Sequence, residues 1–217
     1  MDMKKIKFDF SWILLVVFII FFIIWSILVL QGRFISFDYQ IFDEIHHYLI
    51  NPFLISFFKI ITQMGSAIVL IGIVLISLLF IRNKYVGISM GINLFLVSLF
   101  NLFLKNIFMI SRPDTITLID ESGYSFPSGH AMISFAFYGY LIYLIDKNMK
   151  PSILKKVIII FLILLILFIG FSRIYLGVHH FSDIIGGYII SFAYLILYIK
   201  LVKRMGMENL YEVQKRN

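Results

Sequence analysis

The sequence contains no cysteine, which excludes disulfide bonds and thiol chemistry. Charge is also scarce, since Asp, Glu, Lys and Arg make up 14% of the 217 residues, where a soluble domain carries about a quarter. Hydrophobic residues make up 61% and are gathered in long runs, which indicates an integral membrane protein. The chain has no low-complexity stretch, internal repeat or long linker. We therefore expect a single membrane domain over residues 1–217.

Six apolar stretches predict an all-α protein with six transmembrane helices, at residues 11–31, 66–82, 86–108, 129–146, 156–172 and 183–202. The first stretch is long enough to cross about 30 Å of hydrocarbon at about 1.5 Å per residue. It ends in Gln31-Gly32-Arg33-Phe34, which does not resemble a cleavage site. We therefore interpret it as an uncleaved helix and not as a signal peptide.

The distribution of Lys and Arg predicts the orientation in the membrane. With the N-terminus in the cytoplasm, 14 of the 19 basic residues face inward: Lys4, Lys5, Lys7, Arg82, Lys84, Lys147, Lys150, Lys155, Lys156, Lys200, Lys203, Arg204, Lys215 and Arg216. The other 5 face outward: Arg33, Lys59, Lys105, Arg112 and Arg173. The positive-inside rule thus predicts a multi-pass cell-membrane protein with both termini cytoplasmic.

Residues 35–64 predict a helical segment on the outer interface. Phe37, Ile41, Ile45 and Leu49 recur every four residues, with polar residues such as Asp38 elsewhere around the turn, as in an amphipathic helix. Asn51-Pro52 ends this helix, and Phe53 to Met64 forms a second interfacial helix or the start of the next span. The segment either packs at the membrane surface or gates the sideways approach of a lipid.

Three polar blocks interrupt the apolar chain, and all three fall on the predicted outer side. The first contains Lys105, near the end of the third span, followed by Arg112-Pro113. A lysine inside a membrane helix indicates function, although it can also extend its ammonium to the interface. The planar guanidinium of Arg112 suits phosphate oxygens.

The second block is Pro127-Ser128-Gly129-His130, which predicts a helix start capped by Ser128. The free N–H groups of a first helical turn bind anions, and glycine lets an oxyanion approach the backbone. His130 lies close enough to transfer a proton to or from the same anion. The alternative is an ordinary cap followed by a structural histidine.

The third block contains Ser172-Arg173, His179 and Asp183. On the opening turn of the sixth span, His179 and Asp183 would share one helix face. A carboxylate bonded to one ring nitrogen fixes the tautomer and leaves the other nitrogen as a nucleophile. Arg173 would neutralise phosphoryl oxygens during transfer, and we interpret the adjacent His180 as structural.

Together the three blocks resemble the signature of the type 2 phosphatidic acid phosphatase (PAP2) superfamily, with no departure at any signature position. Vanadium haloperoxidases share the anion site of this superfamily. The blocks span residues 105–183, and the six-helix layout resembles the small bacterial membrane members. The resemblance implies a PAP2/haloperoxidase-like helical core over about residues 66–202, preceded by the interfacial segment at about 35–64.

The resemblance also implies a role for each residue. His179 is expected to be the nucleophile that forms a phosphohistidine, Asp183 to orient it, and His130 to protonate the leaving oxygen and then activate water. Lys105, Arg112 and Arg173 are expected to hold the phosphoryl group, together with Ser128 and the Gly129 backbone. No metal or cofactor is expected, because three cations take the place of a metal.

The expected substrate is a lipid phosphate or pyrophosphate in the membrane, and no nucleic-acid partner is expected. Undecaprenyl pyrophosphate is the first candidate, with phosphatidylglycerol phosphate second and phosphatidic acid third. A lipid or anion transporter, a haloperoxidase and an inactive scaffold are the alternatives from other classes. Charges clustered at helix ends, and not near the midplane, argue against a transporter. The sequence leaves the oligomeric state open.

Overall fold

A computed structural model describes residues 10–207 of the chain. The basic residues Lys4, Lys5, Lys7, Lys215 and Arg216, which contribute to the predicted charge asymmetry, lie outside this range. The described part is entirely helical and contains eight helices: α1 (Phe10–Leu30), α2 (Ile35–Leu49), α3 (Pro52–Gln63), α4 (Ala67–Phe80), α5 (Lys84–Phe108), α6 (Gly129–Asn148), α7 (Ile153–Tyr175) and α8 (Phe181–Met205).

Four of these helices, α1, α5, α7 and α8, are long and apolar enough to cross a membrane. The pair α3 and α4 meets at a 49° bend and gives a fifth candidate span if the two are taken as one. Helix α6 covers the stretch predicted at 129–146 and has 20 residues, but it is not apolar enough to be counted with these spans. The chain is therefore a membrane protein, while the count of six spans and the orientation remain predictions.

Helix α6 lies at the centre of the bundle and packs against α5, α7 and α8. Its fully buried side chains Ala136, Phe137 and Tyr140 face these three neighbours within the apolar core. Helix α1 packs against α8, α4 against α5, and α3 against α7. This arrangement brings the end of α5, the start of α6, the end of α7 and the start of α8 to one end of the molecule.

Helix α2 ends before Asn51, whose side chain accepts a hydrogen bond from the Leu54 amide at 2.9 Å and caps α3. The helix break predicted at Asn51-Pro52 is therefore present. Along the apolar stripe of α2, Ile45 is buried within the protein, whereas Phe37 and Leu49 are exposed, and the interfacial position of the helix stays a prediction. Asp38, which the amphipathic pattern assigns to the polar face, is instead buried at 3% exposure. Its carboxylate is turned inward by hydrogen bonds to α8, which periodicity alone does not predict.

The segment between α5 and α6 packs onto the short connection between α7 and α8. The Leu118 amide donates to the Leu176 carbonyl at 3.0 Å, and the Thr115 hydroxyl donates to the Gly177 carbonyl at 3.1 Å. Gly177 has φ +75°, and a Cβ at this position would lie 2.2 Å from the Ile116 carbonyl oxygen. Glycine is therefore required both by the backbone conformation and by the close approach of the two segments.

We expect Gly177→Ala to destabilise the protein and to lower its activity. Positive φ costs about 1–3 kcal/mol for a residue with a side chain, and the clash with Ile116 adds to this. Thermal unfolding in detergent measures the effect. Gly123→Ala is the control, since Gly123 has φ +77° but open space around the added Cβ. Equal shifts in the two variants would show that the contact between the segments contributes nothing.

Candidate active site

The predicted site residues all lie at the end of the bundle where α5, α6, α7 and α8 meet. Lys105 is in the last turn of α5, Arg173 in the last turn of α7, and Asp183 in the first turn of α8. Ser128, Gly129 and His130 form the start of α6. Arg112 comes from the segment between α5 and α6, and His179 from the connection between α7 and α8. Residues far apart in the sequence thus surround one buried space.

His179 and Asp183 are in contact, with Nδ1 3.2 Å from Oδ2. Both are almost fully buried, at 3% and 1% exposure. His179 does not lie on α8 as the sequence predicts, because the helix begins at Phe181. The Asp183 carboxylate accepts the His180 amide at 2.9 Å and so caps the helix behind the histidine. The predicted pairing is therefore present, but it runs from a loop to the helix start.

Ser125 is a third member of this pair that sequence reasoning missed. Its hydroxyl donates to Asp183 Oδ2 and lies 3.2 Å from His179 Nδ1. The residue is completely buried. The only signal in the sequence is a small polar residue three positions before Ser128, just ahead of the second block.

The contacts of His179 assign its tautomer. Arg112 Nη1 lies 3.3 Å from Nε2, and a guanidinium nitrogen can only donate. Nε2 therefore accepts, and Nδ1 carries the proton that faces Asp183 and Ser125. Burial lowers the pKa of His179 well below its usual value, and the nearby Arg173 and Arg112 lower it further. The ring is thus neutral at pH 7, with the lone pair of Nε2 directed towards the cations.

Arg173 is buried at 1% exposure and held by two side chains. Nη1 donates to the Thr62 hydroxyl of α3 at 2.8 Å, and Nη2 forms an ion pair with Glu121 Oε2. The backbone carbonyl of Arg173 also accepts the His179 amide at 3.3 Å, which links the cation to the loop that carries His179. Neither Thr62 nor Glu121 was predicted from the sequence.

Glu121 lies between two of the predicted phosphate ligands. Besides its bond to Arg173, its other oxygen is 3.6 Å from Arg112 Nη2. Burial alone would raise the pKa of Glu121, but Arg173, together with His130 and Arg112, lowers it below the usual value. The carboxylate is therefore ionised and neutralises the same guanidinium groups that a phosphate would require.

Backbone carbonyls orient the other two cations. Arg112 donates to the carbonyls of Gly123 at 3.0 Å, Ser122 at 2.8 Å and Val178 at 2.8 Å. The Lys105 ammonium donates to the Tyr124 carbonyl. Lys105 at the end of α5 thus contacts the same segment that carries Arg112.

The start of α6 is held open towards the same space. Ser128 occupies the predicted N-cap position, but its side chain makes no capping hydrogen bond. Asn101 of α5 donates to the Pro127 carbonyl at 3.1 Å and fixes the approach to the helix. His130 is half-buried next to the bend between α3 and α4, where a Cβ on Gly65 would lie 3.1 Å from its ring. The first turn thus offers backbone N–H groups, a hydroxyl and an imidazole to an anion.

Three buried polar atoms in this site have no hydrogen-bond partner: Ser128 Oγ, Arg173 Nε and Asp183 Oδ1. Unpaired buried polar groups are costly, and they are expected where a ligand completes the bonding. The first two are donors suited to phosphoryl oxygens. Among the described residues, no group of three His, Cys, Asp or Glu side chains is arranged to hold a metal ion. The donors that are present suit an oxyanion.

We expect Ser125→Ala to lower kcat about tenfold, because partners that orient a functional histidine or carboxylate contribute about 10- to 100-fold. The variant removes the hydroxyl that bonds to Asp183 and His179, while leaving the phosphate donors in place. The steady-state kcat measures the loss of orientation of His179 and Asp183. The vanadate inhibition constant measures whether the phosphate donors are intact.

Ser134→Ala is the matched control, since Ser134 is also buried on α6 but donates to Ala131 of its own helix. An unchanged kcat for Ser125→Ala, or an equal fall for Ser134→Ala, would contradict the role of Ser125 in orienting the pair.

We expect Glu121→Gln to strengthen vanadate inhibition several-fold, because the amide no longer neutralises Arg173 and Arg112. Asp114→Asn is the control, since its exposed carboxylate lies in the same segment between α5 and α6. The inhibition constants of both variants should be measured at one ionic strength. Weaker inhibition of Glu121→Gln would show that Glu121 orients the cations and does not compete with the anion.

Comparisons with known proteins agree with this geometry. The PAP2 superfamily matches residues 84–206. Phosphatidylglycerophosphatase B of Bacillus subtilis (strain 168) is 32% identical over 142 residues, which cover 64% of this chain and 70% of that protein. Lipid phosphate phosphatase 2 of Arabidopsis thaliana is 33% identical over 100 residues, 44% of this chain but only 33% of the relative.

Two solved structures share the fold. The transmembrane PAP2-type phosphatidylglycerolphosphate phosphatase of Bacillus subtilis superposes with a TM-score of 0.80 at 28% identity, over 88% of this chain and 96% of that one. Aquifex aeolicus LpxE superposes with a TM-score of 0.59 at 23% identity, over 74% and 93%. The second likeness shows the fold alone.

Proposed function

We propose that this membrane lipid phosphatase, which belongs to the PAP2 superfamily, removes the terminal phosphate of phosphatidylglycerol phosphate through a phosphohistidine intermediate. The observation that carries the proposal is the orientation of His179. Its Nδ1 is bonded to Asp183 and Ser125, and its unprotonated Nε2 faces Arg112 in a buried site with three cations. An imidazole held in this way is prepared to attack phosphorus and not to accept a proton from solvent.

In the first step, His179 Nε2 attacks the phosphorus and forms an N–P bond as the P–O bond to the lipid breaks. His130, protonated once the negatively charged phosphate is bound beside it, gives its proton to the leaving alkoxide. In the second step the neutral His130 takes a proton from water, and the resulting hydroxide attacks phosphorus. The N–P bond breaks, inorganic phosphate leaves, and His179 regains its lone pair.

The cations stabilise the charge that spreads over the phosphoryl oxygens during both steps. Arg173 and Arg112 offer planar N–H pairs, and Lys105 supplies a point charge from α5. Ser128 and the first N–H groups of α6 complete the binding site. Asp183 holds the Nδ1 proton in place and stabilises the positive charge on the phosphorylated ring.

Two observations favour phosphatidylglycerol phosphate over undecaprenyl pyrophosphate. First, a relative and a solved structure that match most of their own lengths are named as phosphatidylglycerophosphate phosphatases. Second, a cavity of about 330 Å³ adjoins Arg112 and is lined by Thr117, Asp120, Glu121 and Ser122, among others. Carboxylates and hydroxyls suit the glycerol hydroxyl beside the cleaved phosphate. The same carboxylates would repel the directly attached second phosphate of a pyrophosphate more than the phosphodiester of phosphatidylglycerol phosphate, which lies farther away across the glycerol. Undecaprenyl pyrophosphate remains the second candidate.

We also propose that the site faces the outside of the cell. The asymmetry of 14 inward to 5 outward basic residues supports this orientation. Three of the 5 outward residues, Lys105, Arg112 and Arg173, belong to the site. Their position is explained by phosphate binding and does not weaken the asymmetry.

The test is phosphate release by the purified full-length protein from phosphatidylglycerol phosphate, undecaprenyl pyrophosphate and phosphatidic acid, assayed in EDTA. We expect the highest kcat/KM for phosphatidylglycerol phosphate and undiminished activity without divalent metals. His179→Ala should lose about 10³-fold or more, as removal of a nucleophile does in other enzymes.

His47→Ala is the control, since His47 is an exposed histidine of α2 whose ring packs against Tyr48, away from the site. A higher kcat/KM for undecaprenyl pyrophosphate than for phosphatidylglycerol phosphate would overturn the substrate assignment. It would not affect the proposed mechanism. Full activity of His179→Ala, or activity that requires Mg²⁺, would overturn the mechanism itself.

A further inference from the structure

Helix α2 contacts the polypeptide on both sides of the nucleophile. At its start, Asp38 accepts hydrogen bonds from Ser182, at 2.9 Å from the amide and 2.6 Å from the hydroxyl. At its end, His46 Nε2 lies 3.1 Å from the Tyr175 carbonyl, and the Tyr175 hydroxyl donates to the Leu49 carbonyl at 3.1 Å. Residues 176–180, which carry His179, lie between these two attachments. Helix α2 therefore fixes both ends of the loop that presents the nucleophile.

The attachment at the start of α8 is more than a single bond. The Phe37 ring packs edge-on against Phe181, with ring centres 5.8 Å apart, and Tyr39 packs against His180 at 5.5 Å. Three consecutive residues of α2 thus contact three consecutive residues at the start of α8. From another side, the Trp25 indole of α1 donates to the Ser182 carbonyl at 3.0 Å.

Asp38 acts as a helix cap supplied from a distant part of the chain. The first turn of an α-helix leaves N–H groups without partners, and a carboxylate there is favourable. Asp183 satisfies the His180 amide, and Asp38 satisfies the Ser182 amide. Burial raises the pKa of Asp38, and the bonds from Ser182 oppose that rise. The two carboxylates together define the position of the turn from which Asp183 reaches His179.

We propose that Asp38 is a positioning residue for the phosphatase reaction: through Ser182 it fixes the first turn of α8, and thereby the distance and direction of Asp183 towards His179. It touches neither substrate nor the reacting atoms. The expected effect of Asp38 on the reaction rests on the proposed function. Its expected effect on the position of the first turn of α8 rests on the contacts alone.

The kinetic test compares Asp38→Ala, Asp38→Asn and Ser182→Ala with Asp43→Ala, an exposed carboxylate on the same helix. We expect Asp38→Ala to lower kcat about 10- to 100-fold, the scale that a misplacement of about 1 Å costs. KM and the vanadate inhibition constant should change less than about twofold, since the phosphate donors are untouched. Asp38→Asn, which keeps one acceptor oxygen, should retain more activity, and Asp43→Ala should match the wild type.

A double variant provides a further check. If Asp38 acts through Ser182, then Asp38→Ala combined with Ser182→Ala should be no slower than Asp38→Ala alone. Additive losses would overturn the proposal. So would a wild-type kcat for Asp38→Ala, or a parallel loss of kcat and vanadate binding, which would make Asp38 a general stabiliser of the fold.

Amide hydrogen exchange of the full-length protein in detergent tests the contact without relying on catalysis. Asp38→Ala should increase exchange at Phe181–Asp183, and Asp43→Ala should not. If the wild type releases no phosphate from any lipid while exchange responds as expected, the proposed function fails and the Asp38 contact stands. If the wild type is active and neither exchange nor kcat responds to Asp38→Ala, this inference alone fails. Should Asp38→Ala not fold, Asp38→Asn and Ser182→Ala carry the same comparisons.

Discussion

One carboxylate oxygen, Asp183 Oδ2, holds the site together. It accepts the Ser125 hydroxyl, the His180 amide and the Nδ1 proton of His179. These donors come from the segment before α6, from the start of α8 and from the loop between α7 and α8. A buried carboxylate is stable only when its hydrogen bonds are made, so the three segments are constrained to meet at this point. The orientation of the His179 ring follows from that requirement.

The same constraint explains why the site is so densely bonded. Near a membrane, unpaired polar groups are expensive, and charged side chains need partners or a water-filled space. Arg112 uses three carbonyls, Lys105 uses one, and Arg173 uses Thr62 and Glu121. Two of the atoms left without partners, Ser128 Oγ and Arg173 Nε, are donors suited to an incoming oxyanion. Most polar groups of the site are therefore already bonded within the protein, and the unbonded donors are available to an anion.

Most of the site could be predicted from the sequence, because its residues stand out against apolar helices. Lys105, Arg112, His130, Arg173, His179 and Asp183 come together at the helix ends, as the three blocks indicate. Ser125, Glu121 and Thr62 could not be found in this way. A serine and a glutamate in a polar loop give no local signal, and their positions depend on how residues 109–128 pack onto Leu176 and Gly177. Asp38 was assigned to the wrong face for a related reason: periodicity describes burial of apolar side chains and says nothing of a carboxylate bound to another helix.

The position of Glu121 gives the site a further property. An ionised carboxylate beside Arg173 and Arg112 keeps both guanidinium groups ordered, yet it must give up part of that pairing when a phosphate binds. A dianionic phosphate can replace a single carboxylate because it offers more charge and more acceptor oxygens. A singly charged anion would replace the Glu121 carboxylate less readily, because it offers less charge to the two guanidinium groups. If the proposed function holds, Glu121 makes the site selective for a strongly charged terminal phosphate, while the loop that carries it forms the wall of the adjoining cavity. On that proposal, charge selection and head-group recognition both depend on one segment, residues 109–128, which sequence patterns describe least well.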